Sequence, residues 1–164
     1  VPGFDASDRT AASGSQRPAG SGLARQFLFV DDNVYIAQAI HRVAGSCGLE
    51  VRLATTAGSF CQRYHELVPD LIGFDLAMPG GDGIALIRFL AAEGCKAPIL
   101  IITGHDQRVL AAAARLGRGL NIVETLSKPF SVETLKTALE HLIEAAILGN
   151  GDKTGRDETG RVGK

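Results

Sequence analysis

The sequence predicts an α/β fold: a doubly wound, five-stranded parallel sheet of the flavodoxin-like (βα)5 type, with strand order 2-1-3-4-5. Two observations carry that prediction. Five short apolar runs alternate with segments of helical period, and crossovers of that length are what parallel strands require. The strongest run, APILIIT (97–103), is also nearly continuous in apolar residues, as strands covered by helices on both faces are.

QFLFV (26–30) is the first such run, and it stops at Asp31-Asp32. Residues 34–47 then place Ile36, Ile40, Val43 and Ala44 on one helical face. Gly48 ends that helix, and LEVRLA (49–54) alternates like a strand. A weaker helix over 57–67 carries Phe60, Tyr64 and Leu67 and is closed by Pro69. DLIGFD (70–75) is again apolar and ends on an acid. Asp82 is read as the cap of a helix over 83–93, with Ile84, Ile87, Leu90 and Ala91 in line. APILIIT (97–103) is the strongest strand, and QRVLAAAARL (107–116) a good helix. NIVETL (121–126) is the fifth strand, and the last helix starts after Ser131 with Val132, Leu135, Ala138, Leu139, Leu142 and Ile143 inward.

The flanks differ in kind. Residues 1–24 are Gly-, Ser-, Ala- and Pro-rich, and 149–164 alternate Gly with charge. Neither buries enough surface to offset its ordering entropy, so both are predicted disordered. One domain over 25–148 remains, a length that supports a real core. A net charge of −1 and the absence of Trp argue against a nucleic-acid or anionic-membrane surface. Cys47, Cys61 and Cys95 form no CxxC and read as buried, reduced thiols. With no apolar stretch long enough to span a bilayer and no secretion signal, the expected location is cytoplasmic.

Ligands of such sheets sit at the carboxyl ends of the strands, where strand order reverses. Those positions hold Asp31 and Asp32 after the first strand, Asp75 at the end of the third, Thr103 at the end of the fourth, and Lys128 after the fifth. Three converging carboxylates repel unless a cation sits among them. Mg²⁺ suits the set, because it takes one or two carboxylates and leaves room for phosphate oxygens. Lys128 adds a fixed positive charge and Thr103 a hydroxyl donor, which together suit an arriving phosphoryl group. Each residue has a plainer reading too. Asp31-Asp32 can cap a helix, Asp75 can be a turn acid, Thr103 can simply end a strand, and Lys128 can be a solvated charge. The set is informative because each member closes a different strand.

With those residues in place, the chain resembles the response-regulator receiver domains of two-component signalling. The resemblance covers about residues 26–146 through FLFVDDN (27–33), DLIGFDLAMPGGDG (70–83), ILIITGH (99–105) and LSKPF (126–130). It implies that Asp75 is the phosphoacceptor, and that Mg²⁺ is held by Asp32, by Asp31 through water, by Asp75 and by the backbone carbonyl of Ala77. It further implies that Thr103 and Lys128 bind the phosphoryl oxygens, and that Lys128-Pro129 is a cis peptide. Gly80, Gly81 and Gly83 are expected to let the loop after Asp75 turn tightly. The implied partners are a histidine kinase or phosphotransfer protein and a downstream protein. The last two helices leave room for a homodimer without specifying one.

Two departures stand out. Thr125 occupies the position, three before the lysine, where the family usually carries Tyr or Phe, so the usual threonine–aromatic switch cannot operate in that form. RLGRGLNIVETL (115–126) is longer than the usual connection and reads as an extended loop with Arg115 and Arg118 exposed. Phe130 reads as core. His105, two after Thr103, is placed to orient water or to be a solvated loop histidine. His41, His65 and His141 fall in helices without an evident partner. The leading expectation is a receiver that moves a phosphoryl group from a kinase or small phosphodonor to its own Asp75. The alternatives are a degenerate receiver used as a phosphorylation-independent interaction module, and a receiver fragment of a larger regulator such as a cyclic-di-GMP phosphodiesterase. A haloacid-dehalogenase-type phosphatase would need an Asp-x-Asp motif after the first strand. A flavodoxin-like carrier would need a Ser/Thr/Gly-rich phosphate loop there.

Overall fold

A computed structural model describes residues 23–104 and 106–151. His105 lies outside the described residues, as does most of the two flanks predicted to be disordered. Strands β1 (Gln26–Val30), β2 (Glu50–Ala54), β3 (Leu71–Asp75), β4 (Ile99–Thr103) and β5 (Ile122–Ser127) alternate with helices α1 (Val34–Ser46), α2 (Ala57–Leu67), α3 (Asp82–Ala92), α4 (Gln107–Leu116) and α5 (Val132–Gly151). All strand pairs are parallel, in the order β2-β1-β3-β4-β5. The predicted fold is therefore the observed one.

Period-2 alternation along each strand divides the core into two layers. Phe27, Phe29, Leu71, Leu100 and Ile102 face α1 and α5, while Leu28, Val30, Ile72, Phe74 and Ile101 face α2, α3 and α4. Each large side chain buried this way contributes about 1.5–3 kcal/mol. Gly73 is part of the packing. A Cβ there would stand 2.7 Å from the Phe29 ring and 3.0 Å from that of Phe27, so the two β1 rings lie directly over its backbone. Phe130 packs against the α1/α5 layer, as predicted.

Caps set where the helices begin. Asn33 Oδ1 accepts from the backbone N–H groups of Tyr35 (3.0 Å) and Ile36 (3.3 Å) and starts α1, which leaves Asp31 and Asp32 free of that duty. Thr56 and Ser59 form a reciprocal capping box on α2. Asp82 is not the cap of α3: Gly81, in a left-handed conformation, holds that position, and Asp82 lies inside the first turn. A short 3-10 turn, Pro79–Gly81, leads into it. Asp106 caps α4, a helix with only Ala113 buried.

The expected long loop before β5 is mostly regular structure. α4 runs through Arg115 to Leu116, and the irregular connection is confined to residues 117–121. The surplus goes into a β-bulge, since Ile99 pairs with Ile122 while Leu100 pairs with Glu124, leaving Val123 unmatched. Arg115 and Arg118 are exposed as predicted.

Candidate functional site

The four strands named above deliver their residues to one edge of the sheet. Asp31 is fully buried, Asp75 and Thr103 nearly so, and Asp32 is exposed. Lys128 Nζ lies 2.6 Å from Asp75 Oδ2 and 3.7 Å from Asp31 Oδ2. The backbone brings it there: the Lys128 amide donates to the Thr103 carbonyl at 2.9 Å, extending the β4–β5 ladder one step past the strand. The Lys128-Pro129 peptide is cis.

The carboxylates are held by the chain's own amides. Asp31 Oδ1 accepts from the Asn33 N–H at 2.8 Å, and Asp75 Oδ1 accepts from the Ala77 N–H at 2.9 Å. Asp31 Oδ2, in contrast, is buried with no hydrogen-bond partner among the described residues. Burial pushes the Asp31 carboxyl up to about 6; the Asn33 amide and the Lys128 charge act against this, and the neighbouring Asp75 and Asp32 act with it. One oxygen from each of Asp31, Asp32 and Asp75 lies within 4.8 Å of the others. A buried orphan oxygen, crowded acids and an all-oxygen donor set are together what a hard divalent cation satisfies. Mg²⁺ therefore fits these residues.

Thr103 is in the right place with its hydroxyl turned aside: Oγ1 donates to the Gly104 carbonyl at 3.0 Å. Thr125 pairs with Ile101 on β4 and is exposed on the face that bears α4, so no ring fills that position. The loop after Asp75 is pinned from behind. A Cβ on Gly83 would stand 2.2 Å from the Leu76 carbonyl oxygen, so α3 presses on the residue following Asp75. Gly80 and Gly81 do turn the chain at φ 73° and 74°, whereas Gly83 serves close approach rather than turning. Sequence reasoning missed Asn33 as the cap; an Asn just before an apolar-periodic run was the available signal. It also left His141 without a partner, and the structure pairs it with Glu124 of β5.

The fold and site together define a receiver module. The response regulator receiver domain model matches residues 27–140, and the chain belongs to this family, the receiver domains of two-component systems. Among its relatives, the transcriptional regulatory protein FixJ of Bradyrhizobium diazoefficiens is 32% identical over 117 residues, covering 71% of this chain and 56% of that protein. The C4-dicarboxylate transport transcriptional regulatory protein DctD of Pseudomonas aeruginosa is 29% identical over 123 residues, covering 75% of this chain and 26% of that protein. The chain thus spans between about a quarter and a little over half of these two relatives. Among solved structures, NtrX from Brucella abortus superposes with a TM-score of 0.73 at 27% identity, covering 86% of this chain and 31% of that one. A response regulator receiver domain protein from Clostridium thermocellum superposes with a TM-score of 0.65 at 25% identity, covering 76% and 98%. Among the described residues, no helix is long and apolar enough to cross a membrane.

Proposed function

We propose that this receiver accepts a phosphoryl group on Asp75, from the phosphohistidine of a histidine kinase or phosphotransfer protein or from a small phosphodonor, with Mg²⁺ held by Asp31, Asp32, Asp75 and the Ala77 carbonyl. One observation carries the reading: the Lys128 ammonium stands 2.6 Å from Asp75 Oδ2 while Asp31 keeps a buried, unpartnered oxygen beside it. An Asp75 oxygen forms the new bond to phosphorus as the bond from phosphorus to the donor nitrogen or oxygen breaks. The leaving pair departs with imidazole, which takes up a proton, or with acetate when acetyl phosphate is the donor. Mg²⁺, when bound, would neutralise the clustered carboxylates and the charge on the phosphoryl oxygens.

Lys128 begins paired to the nucleophile and ends paired to a phosphoryl oxygen. Thr103 exchanges the Gly104 carbonyl for another. The product adds about −2 charge and three acceptor oxygens at the sheet edge, which shifts the population of the loops after β3 and β4 and the attached α4, whose single buried residue leaves it easy to move. A downstream protein reads that surface.

The test is incubation with acetyl phosphate and Mg²⁺ followed by intact-mass measurement. One hydroxylamine-labile phosphoryl group is expected, absent in Asp75→Asn and greatly reduced in Asp32→Ala. A gain that survives Asp75→Asn would move the acceptor elsewhere. No gain, together with no Mg²⁺ binding by titration, would support a phosphorylation-independent interaction module, the reading that the exposed Thr125 favours.

A further inference from the structure

Among the described residues the sheet has two unpaired edges, β2 and β5, and they are built differently. β5 is interrupted by the bulge at Val123, a device that twists an edge away from further pairing. β2 is regular: its five residues pair in unbroken register with β1, from Gln26↔Glu50 to Val30↔Ala54. The Glu50 N–H donates to the Arg25 carbonyl, and the Ala54 carbonyl accepts from the Asp31 N–H. In a parallel ladder this fixes Glu50, Arg52 and Ala54 as the residues turned toward β1. Val51 and Leu53 therefore direct two N–H and two C=O groups outward.

Beside that edge lies a groove of about 460 Å³ lined by Gln38, His41 and Arg42 of α1 and by Leu53. All three α1 side chains are exposed, and among the described residues neither His41 nor Arg42 has an acidic partner within 4.0 Å. The charges of β2 itself are already matched, Arg52 to Glu50 at 2.8 Å. They stand on the opposite face from Val51 and Leu53, which pack toward α1. The groove thus offers unneutralised donors next to a strand whose outer edge has no partner among the described residues.

We propose that the β2 edge binds an extended, acidic segment of a partner protein by strand addition, with its backbone on Val51 and Leu53 and a carboxylate side chain on Arg42, His41 and Gln38. Main-chain pairing supplies affinity and the groove supplies selectivity, the usual division in this mode of recognition. A second copy of the chain is the less suitable occupant. Antiparallel β2–β2 pairing about a twofold axis normal to the sheet keeps α1 on the same side in both copies. It would set His41 and Arg42 against their own symmetry mates.

The test uses the full chain and a fluorescein-labelled, blocked pentapeptide, Thr-Val-Glu-Val-Thr. Saturable binding is expected, with amide shifts at Val51 and Leu53 and along Gln38–Arg42. The same peptide N-methylated at every residue should lose binding. Replacing its Glu by Lys, or combining His41→Ala with Arg42→Ala in the protein, should weaken it by about tenfold or more. Asp75→Asn should leave it unchanged, which separates this surface from the acid cluster. Binding that tolerates N-methylation, ignores the Glu-to-Lys exchange or the α1 double variant, or moves amides elsewhere would overturn the proposal, as would no binding up to millimolar peptide. A concentration-dependent dimer abolished by Val51→Pro would assign the edge to a second copy instead.

Discussion

Asp31 and Asp70 flank β1 at its two ends, and the chain treats them in opposite ways. Asp70 closes a ladder: its Oδ2 accepts from the Gln26 N–H at 2.7 Å, and its own N–H donates to the Gln26 carbonyl at 2.9 Å. Asp31 is more deeply buried, and among the described residues one of its oxygens accepts no hydrogen bond. An acid that finishes backbone pairing stabilises the fold as it stands. An acid left incomplete in the interior costs free energy until something outside the chain completes it. The carboxyl ends of the strands, where the proposed phosphoryl transfer takes place, carry that cost at Asp31, and the amino end at Asp70 does not.

The sharpest way to break this contrast is Lys128→Ala. It removes the cation nearest both buried acids, and phosphoryl uptake from acetyl phosphate should fall by about 10²–10³-fold, the usual consequence of losing one charge-stabilising donor. Asp70→Ala should leave the uptake rate within about twofold while lowering stability by ~1–2 kcal/mol. Comparable rate losses in both variants would remove the distinction between the two ends.

Gly83→Ala tests the backing of the site rather than its charges. The added methyl would meet the Leu76 backbone carbonyl at 2.2 Å, and a backbone oxygen cannot swing aside as a flexible side chain can. A loss of about 3 kcal/mol in chemical denaturation is expected, together with slower phosphoryl uptake because Asp75 sits one residue before the displaced carbonyl. Undiminished stability would mean that the loop shifts freely and that Asp75 is not held by α3.

Asp31→Asn should act with the opposite sign to Asp70→Ala. In the metal-free protein the Asp31 carboxyl is raised to about 6, above its unfolded value of about 3.9. Its stabilising contribution is therefore full below about pH 4 and lost as pH rises through about 6. Held in EDTA, the wild type should lose roughly 1–3 kcal/mol across that window. Asp31→Asn should flatten the slope and be the more stable protein at pH 7. Mg²⁺ should reverse the order by completing the wild-type acid and not the amide. A flat wild-type profile in EDTA would show that Lys128 alone satisfies Asp31.

How far the sequence reveals this depends on how local each determinant is. The strands were legible for different reasons: QFLFV and ILIIT are continuously apolar, as strands buried on both faces are, whereas LEVRLA alternates as a half-exposed strand does. The strand-end residues were legible because fold topology alone sends Asp31, Asp75, Thr103 and Lys128 to one edge. The division of labour among neighbours was not. Asp31, Asp32 and Asn33 are all competent caps, and only the backbone path decides that Asn33 takes the role. The bulge at Val123 is a property of the register between β4 and β5, and no local pattern in residues 115–126 encodes it. The fit of Gly83 against Leu76 is likewise a meeting of two segments, visible in sequence only as one more loop glycine.

The pairing of His141 with Glu124, 17 residues apart, is the smallest of these non-local effects and the cleanest to measure. His141 is raised above its ordinary value, first by the hydrogen bond to Glu124; desolvation acts against it, and the charges of Glu124, Glu144 and Glu140 add to it. The sign is opposite in kind to the cost at Asp31: here the charged form gains a partner at the surface. Any stabilisation is present while the imidazole is protonated and disappears as pH rises through its folded value. For a pair in solvent no measurable change in unfolding free energy is expected. The readout is the imidazole proton shift against pH. It should show a midpoint above about 6.5 that falls in Glu124→Gln and stays put in Asp31→Asn. A midpoint unmoved by Glu124→Gln would mean that the diffuse field of the α5 acids holds the proton, and that the bulge which turns Glu124 toward α5 has no electrostatic consequence there.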